Sequence, residues 1–335
     1  TIPVVSYVLR VLYIFNILSS SSSSSSNTSS RNNSNIIATE ITPADLRKSI
    51  REGTFTSTTN GSCPGYIQCN LVVLHQKDAF DFLLFCQRNP QACPLIEVLD
   101  AGSFTPKSSI ISTAGTAGST DNGTNTNTNI ITDSDTIDDT TKDTTTTTLA
   151  DLRTDIPKYR IYKNGKLTLE TTDVTPHWPS DSVAFLIGCS FTTDAALLNA
   201  NIPLRTVQQH KNVPMYNTNI PCIPAGKYSG NMVVSMKPIK STDVAKEVMI
   251  TSKFPHAHGI PVCIGNPASI GILDLGRPDY GDVVEILDGE LPVFHACGVT
   301  PQNGLLESQV EFAITHSPGY MFVTDLKADE PPLQQ

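Results

Sequence analysis

The stretch 183–188, VAFLIG, constrains the fold more than any other part of the chain. It is a continuous apolar run without alternation, so it predicts a strand buried on both faces of a covered sheet. The run ends in Gly188, presents Cys189 and Ser190, and passes into 191–199, which reads as a helix. A buried strand that turns directly into a helix belongs in a layered protein built from both element types.

Other segments repeat that alternation. Thr42-Pro-Ala-Asp45 places Thr at an N-cap and Pro at the first helical position, predicting a helix that stops near Gly53. Residues 66–74 read as a strand, 78–87 as an amphipathic helix ended by Asn89-Pro90, and 94–99 as a short strand. Asn164-Gly165, between 159–162 and 166–169, predicts a tight two-residue hairpin. Residues 242–248 read as a helix. Strands are expected at 232–236, 249–252, 270–273, 283–286, 310–315 and 321–324, and an irregular Pro-bounded loop at 212–225. The expected architecture is α/β: a layered mixed sheet with flanking helices and a smaller inserted α+β sub-domain at about 200–255.

Charge and composition remove several classes of function. The 335 residues carry 23 Lys and Arg against 32 Asp and Glu, a net charge of -9, with no basic stripe, so a nucleic-acid partner is not expected. Part of that charge sits in 107–148, a Ser/Thr/Asn-rich segment with six Asp and two Lys. Such a segment buries too little apolar area to offset its ordering entropy, and 103–148 is expected to be a disordered surface insert. The eight cysteines form no C-x-x-C pair and fit neither a disulfide scaffold nor a zinc ribbon, so reduced thiols in an intracellular compartment are expected. There is no phosphate-binding glycine loop, G-x-S-x-G elbow or H-E-x-x-H. Residues 2–18 are apolar but short for a stable membrane span and broken by Arg10. Residues 1–39 lack Asp and Glu, contain Arg10 and Arg31, and are rich in Ser, which suits a mitochondrial presequence, with a signal peptide or mistranslated upstream sequence as the competing readings. The expected organisation is a leader over 1–40, one unit over 41–326 and a tail over 327–335, in the mitochondrial matrix or the cytoplasm.

Four places put reactive groups at the ends of apolar strands, where α/β enzymes work. Cys189 and Ser190 follow the buried run, and backbone N–H groups at the helix start there can hold an anion. The loop 212–219 brings Asn219 toward Cys222 and Lys227, a set suited to orienting a carboxylate. In Phe254-Pro-His-Ala-His-Gly259, His256 and His258 lie two apart; extended backbone would turn both to one side, but no third ligand is fixed nearby. No cofactor is evident, and a divalent metal lacks ligand spacing. Finally, Cys297, Thr300 and Gln302 pair with His316, which ends a predicted strand and is the foremost candidate for general acid–base chemistry.

These segments also carry a family likeness. The stretches 80–90 (FDFLLFCQRNP), 151–159 (DLRTDIPKY), 183–191 (VAFLIGCSF), 212–222 (NVPMYNTNIPC), 296–302 (ACGVTPQ) and 312–325 (FAITHSPGYMFVTD) resemble the D-glutamate cyclase family, in order, over about 43–326. The resemblance implies a hydro-lyase that converts D-glutamate to 5-oxo-D-proline and water on an α/β fold with two sub-domains. His258, His316, Arg205, Cys189 and Cys297 match its pattern. The chain departs from it at Cys263 and Asn266, where relatives read His-x-Gly-Asp, at Asn217, often basic, and at His295, often aromatic. The departures at Cys263 and Asn266 keep a non-catalytic ligand-binding relative as one alternative, and a hydro-lyase of another small hydroxy acid is the other.

Cyclising glutamate requires a neutral amine, a base, an acid and donors for a tetrahedral oxyanion. The expected catalytic residues are His316, His258, Cys189 and Cys297, the thiols entering only by a covalent route. The expected substrate-binding residues are Ser190, Arg205, Asn219, Lys227, Thr300 and Gln302. The expected partner is a small amino-acid substrate, with oligomeric state left open.

Overall fold

The computed structural model describes residues 41–109 and 149–329. The presequence reading of 1–39 and most of the predicted insert lie outside the described residues. The elements run α1 (Pro43–Arg51), β1 (Tyr66–His75), α2 (Gln76–Arg88), β2 (Leu95–Val98), β3 (Tyr159–Lys163), β4 (Lys166–Thr171), β5 (Ser182–Gly188), α3 (Asp194–Asn199), α4 (Arg205–Gln208), β6 (Met215–Pro221), β7 (Asn231–Lys240), α5 (Val244–Thr251), β8 (Cys263–Ile264), β9 (Glu290–Ala296), α6 (Thr300–Glu307), β10 (Phe312–His316) and β11 (Phe322–Lys327).

Two sheets result. The larger has the order β2-β5-β1-β10-β3-β4, with β11 also on β1; the smaller has the order β6-β7-β9-β8. The layered α/β class is as the sequence predicts, and within it every pairing among the described residues is antiparallel. The continuous apolar run is β5, and its lack of alternation has a direct cause. Phe185 and Ile187 pack on one face against Phe82 and Phe85 of α2 and Tyr228. Ala184 and Leu186 pack on the other against Leu71, Val73 and Tyr159. Both faces are dry, and each fully buried Phe or Ile there contributes about 1.5–3 kcal/mol.

Helix α1 begins as predicted, with the Thr42 hydroxyl accepting the Asp45 N–H at 3.1 Å. The β3–β4 turn places Asn164 at φ 51° and Gly165 at φ 68°, the left-handed pair that a tight hairpin requires.

Several local readings are corrected. Residues 249–251 continue α5 instead of forming a strand, because Ile250 joins Leu197, Ile202 and Val293 in a small core. Residues 270–273 and 283–286 are not strands. Ile270, Ile272 and Val284 insert from irregular backbone around Tyr216 and Phe294, so alternate burial imitates a strand pattern. Residues 215–221, read as loop, form β6 on the edge of the smaller sheet. Residues 103–109 are ordered: Lys107 and Ser108 N–H groups donate to the buried Glu97 carboxylate at 2.7 and 3.0 Å, and Leu152 N–H donates to the Phe104 carbonyl.

Candidate active site

Strand β1 explains how the site arises. On one edge it pairs with β5 along seven residues. On the other, β11 pairs with Gln68 and Cys69, and β10 with Val72, Val73 and Leu74. Asn70 and Leu71 therefore lie at a gap between two partner strands, and the last residue of β10, His316, fills it. The Leu71 N–H donates to His316 Nδ1 at 3.1 Å, while the Leu71 carbonyl stands 3.3 Å from the same nitrogen. One nitrogen cannot serve both. A buried N–H without an acceptor is the rarer and costlier outcome, so Nδ1 accepts and the proton resides on Nε2. That Nε2 is buried and has no hydrogen-bond partner.

His258 has the opposite protonation. It sits at φ 76° beyond a single 3₁₀ turn, Pro255–Ala257, and its Nδ1 donates to the Gln91 carbonyl at 2.8 Å. A carbonyl only accepts, so Nδ1 carries the proton and Nε2 is a bare lone pair, buried and making no hydrogen bond; the Gly188 carbonyl, which accepts from Asn70, also lies close to the ring. Burial drives both imidazoles toward neutrality, lowering each pKa to about 4. One ring thus offers an N–H and the other a lone pair.

Both residues line one narrow cavity that opens to solvent. Around them stand Asn70, Cys189, Ser190, Cys297 and Gly298, with Phe191, Val213, Met215, Val299 and Met321 forming an apolar wall. No lining residue is Lys, Arg, Asp or Glu.

The two thiols occupy matching places. Cys189-Ser-Phe-Thr192 follows β5 and Cys297-Gly-Val-Thr300 follows β9, each leading into helical backbone. Burial raises both thiol pKa values, that of Cys297 to about 12 and that of Cys189 further; the Phe191 and Val299 N–H groups oppose this only in part. Neither thiol is a thiolate near pH 7, so the expected covalent route through sulfur is not carried forward.

Close backbone approaches fix the walls. A Cβ at Gly298 would lie 1.9 Å from the Asn70 amide nitrogen, which itself donates to the Gly188 carbonyl at 2.7 Å. A Cβ at Gly319, in the turn after His316, would lie 2.5 Å from the Asn212 side-chain oxygen.

The other predicted residues are placed as follows. Ser190 lines the cavity. Thr300 and Gln302 stand behind it. The Thr300 hydroxyl donates to the Cys297 carbonyl at 2.7 Å, and the Gln302 amide donates to the His316 carbonyl at 3.1 Å, so both hold backbone and neither lines the cavity. Arg205 pairs with Glu290, Lys227 pairs with Asp78, and Asn219 is exposed beside Gly271; none of the three lines the cavity, which corrects their reading as carboxylate ligands. His256 and His258 diverge, since His256 Nε2 faces the Ala328 carbonyl, and so they do not form a ligand pair. The departures at 263 and 266 also lie outside the cavity lining: the Cys263 thiol donates to the Asn266 carbonyl at 3.3 Å on β8 and the turn that follows.

Sequence reasoning missed Asn70 and the buried pair His295–Glu247. His295 bridges the Glu247 carboxylate, at 2.7 Å, and the Gly259 carbonyl, at 3.2 Å, and so holds the loop that carries His258. Asn70 gave one signal, a lone amide inside an apolar strand; Glu247 gave none, because helix α5 resembles any surface helix in sequence.

Known proteins resemble the chain over most of its length. A model of the family described as D-glutamate cyclase matches residues 183–325, which include both thiols and both cavity histidines. A protein of Bacillus velezensis named "Putative hydro-lyase" is 47% identical over 288 residues, covering 86% of this chain and 95% of that protein. Its namesakes in Stutzerimonas stutzeri and Bacillus subtilis are 45% and 46% identical, over 87% and 85% of this chain and 96% of each of those proteins. With identity of this level along nearly all of its described residues, the chain belongs to the D-glutamate cyclase family.

Proposed function

We propose that the chain is a hydro-lyase that closes D-glutamate to 5-oxo-D-proline with release of water. The observation that carries this reading is the pair of buried, unpartnered imidazole edges, one a donor and one an acceptor, in a cavity without formal charge. The family membership and the hydro-lyase names of the relatives support the same reaction class.

The absence of charge in the lining favours the reactive forms. Desolvation penalises both an ammonium and a carboxylate, so proton transfer from the ammonium to the side-chain carboxylate, giving amine and carboxylic acid, is easier inside the cavity than in water, while the α-carboxylate stays charged and is left toward the open mouth. The amine nitrogen then attacks the side-chain carboxyl carbon, to which it is already tethered in the same molecule. As the N–C bond forms, the nitrogen becomes acidic and His258 Nε2 takes its proton. The oxyanion receives a hydrogen bond from His316 Nε2–H. His258 returns the proton to the departing hydroxyl, the C–O bond breaks, water leaves and the lactam carbonyl reforms. His316 does not give up its proton, since that would leave an imidazolate; it acts as a neutral donor.

The acid–base part that the sequence analysis gives first to His316 thus falls to His258. The non-catalytic alternative rests on Cys263 and Asn266, which lie outside the cavity. The test is proton NMR of the protein with D-glutamate, L-glutamate, 5-oxo-D-proline and small hydroxy acids, each alone. Interconversion of D-glutamate and 5-oxo-D-proline is expected; turnover of a hydroxy acid only would replace this reading.

A further inference from the structure

We infer that the cavity recognises the cis-amide edge of a neutral lactam ring as such, and that a carboxylate on the ring is not required for binding. The inference concerns the same cavity as the proposed reaction and rests on that reading only for the use made of the lactam.

An ordinary trans amide presents its N–H and C=O on opposite sides. A small lactam ring enforces the cis arrangement and puts both on one side. One edge of such a ring therefore offers a donor and an acceptor side by side. The cavity is lined by two residues of complementary kind. His316 Nε2 carries a hydrogen because its Nδ1 accepts from Leu71 N–H, and His258 Nε2 carries a lone pair because its Nδ1 donates to the Gln91 carbonyl. Both Nε2 atoms are buried, and neither has a partner within the protein. A buried polar atom without a partner calls for an explanation, and for these two, which belong to residues lining one cavity, a ligand that completes them supplies it.

The rest of the lining sets what else the ligand can be. It is apolar or weakly polar and contains no Lys or Arg, and the cations that act on the two rings from behind it, Lys237 and Arg160, are held by Asp194 and Glu170, so an anionic group placed inside would meet no free counter-charge. The lysine and arginine that the sequence offered for that purpose, Lys227 and Arg205, are paired with Asp78 and Glu290. Affinity is thus expected from the amide edge and the ring face, the latter against Phe191, Val213 and Met321. Unsubstituted lactams and cyclic imides belong to the same ligand class, and linear peptides do not.

The experiment is a ligand-observed NMR titration of the intact protein with 2-pyrrolidinone, N-methyl-2-pyrrolidinone and γ-butyrolactone, with D-glutamate turnover read separately. 2-Pyrrolidinone is expected to bind. The N-methyl compound, lacking the N–H, and the lactone, lacking a nitrogen, should each bind at least about tenfold more weakly, the effect of one lost hydrogen bond. H316F and H258F should each remove the difference between the lactam and its analogues. Equal binding of the three rings, or binding only of rings that bear a carboxylate, overturns the inference. Because the wild-type comparison needs no variant, a misfolded H316F or H258F leaves the test intact. Lactam selectivity without turnover of D-glutamate would support this inference and overturn the proposed reaction, so the two can fail independently.

Discussion

Gly188 and the carbonyl of His256 meet so closely that a Cβ on Gly188 would stand 1.7 Å from the His256 oxygen. This contact seats the loop bearing His258 directly on the end of the strand bearing Cys189. The obstacle is backbone, so no side-chain rotation relieves it. Gly188→Ala is expected to cost about 2–3 kcal/mol of stability through overpacking and to displace His258. Urea denaturation and D-glutamate turnover check this; a fully stable, fully active variant would show that the loop is not seated there.

Gly298 and Asn70 offer a second steric test. Gly298→Ala pushes a methyl group onto the Asn70 amide nitrogen, 1.9 Å away. Asn70 can yield only by giving up its bond to the Gly188 carbonyl. Activity should fall more than stability, and Asn70→Ala combined with Gly298→Ala should recover stability but not activity. Melting temperature and turnover of the single and double variants measure the two effects.

The thiols distinguish mechanisms. If both remain neutral, as their burial dictates, Cys189→Ala and Cys297→Ala should each keep turnover within about tenfold, whereas removal of a covalent nucleophile would abolish it. Mass spectrometry of the enzyme quenched during turnover should show no acyl adduct on either residue.

His316 is expected to be needed for rate. His316→Phe removes the donor to the oxyanion and should lower turnover at least about a hundredfold. Gln at the same place retains an N–H and should recover part of that loss. Equal turnover in the wild type and the Phe variant would remove His316 from the mechanism.

Buried neutral histidines also make stability depend on pH with a definite sign. His258 and His316 have pKa values lowered to about 4 in the folded state, against about 6.5 in the unfolded chain. Between those values the unfolded state binds more protons, so stability is present at neutral pH and is lost as pH falls from about 6.5 toward 4. Each ring accounts for about 3 kcal/mol of that loss. Chemical denaturation at pH 7, 5.5 and 4.5 should show the decline, and H258Q and H316Q should each flatten it.

Much of this was legible in the sequence, and the exceptions have physical causes. The run 183–188 announced a strand with two dry faces, and Phe185 and Leu186 pack on opposite sides of it. Cys189, Cys297, His258 and His316 were each singled out locally, since each follows an apolar stretch at a Gly or Pro turn. Their convergence was not legible, because it depends on β10 and β11 sharing one edge of β1 and leaving Leu71 to His316. Arg205 and Lys227 were misjudged for the same reason: sequence shows a cation but not the distant carboxylate that already holds it. Ile270 and Ile272 imitated a strand because alternate burial also arises in irregular backbone that follows a core surface.

The central claim is that His258 and His316 face one cavity as neutral rings of opposite tautomer. Two-dimensional ¹⁵N–¹H NMR of the histidine side chains reads tautomer and charge directly. The account predicts Nδ1–H for His258 and Nε2–H for His316, both neutral from pH 5.5 to 8, with both Nε2 signals moving when 5-oxo-D-proline is added. Finding either ring as an imidazolium at pH 6, or both in the same tautomer, would contradict it.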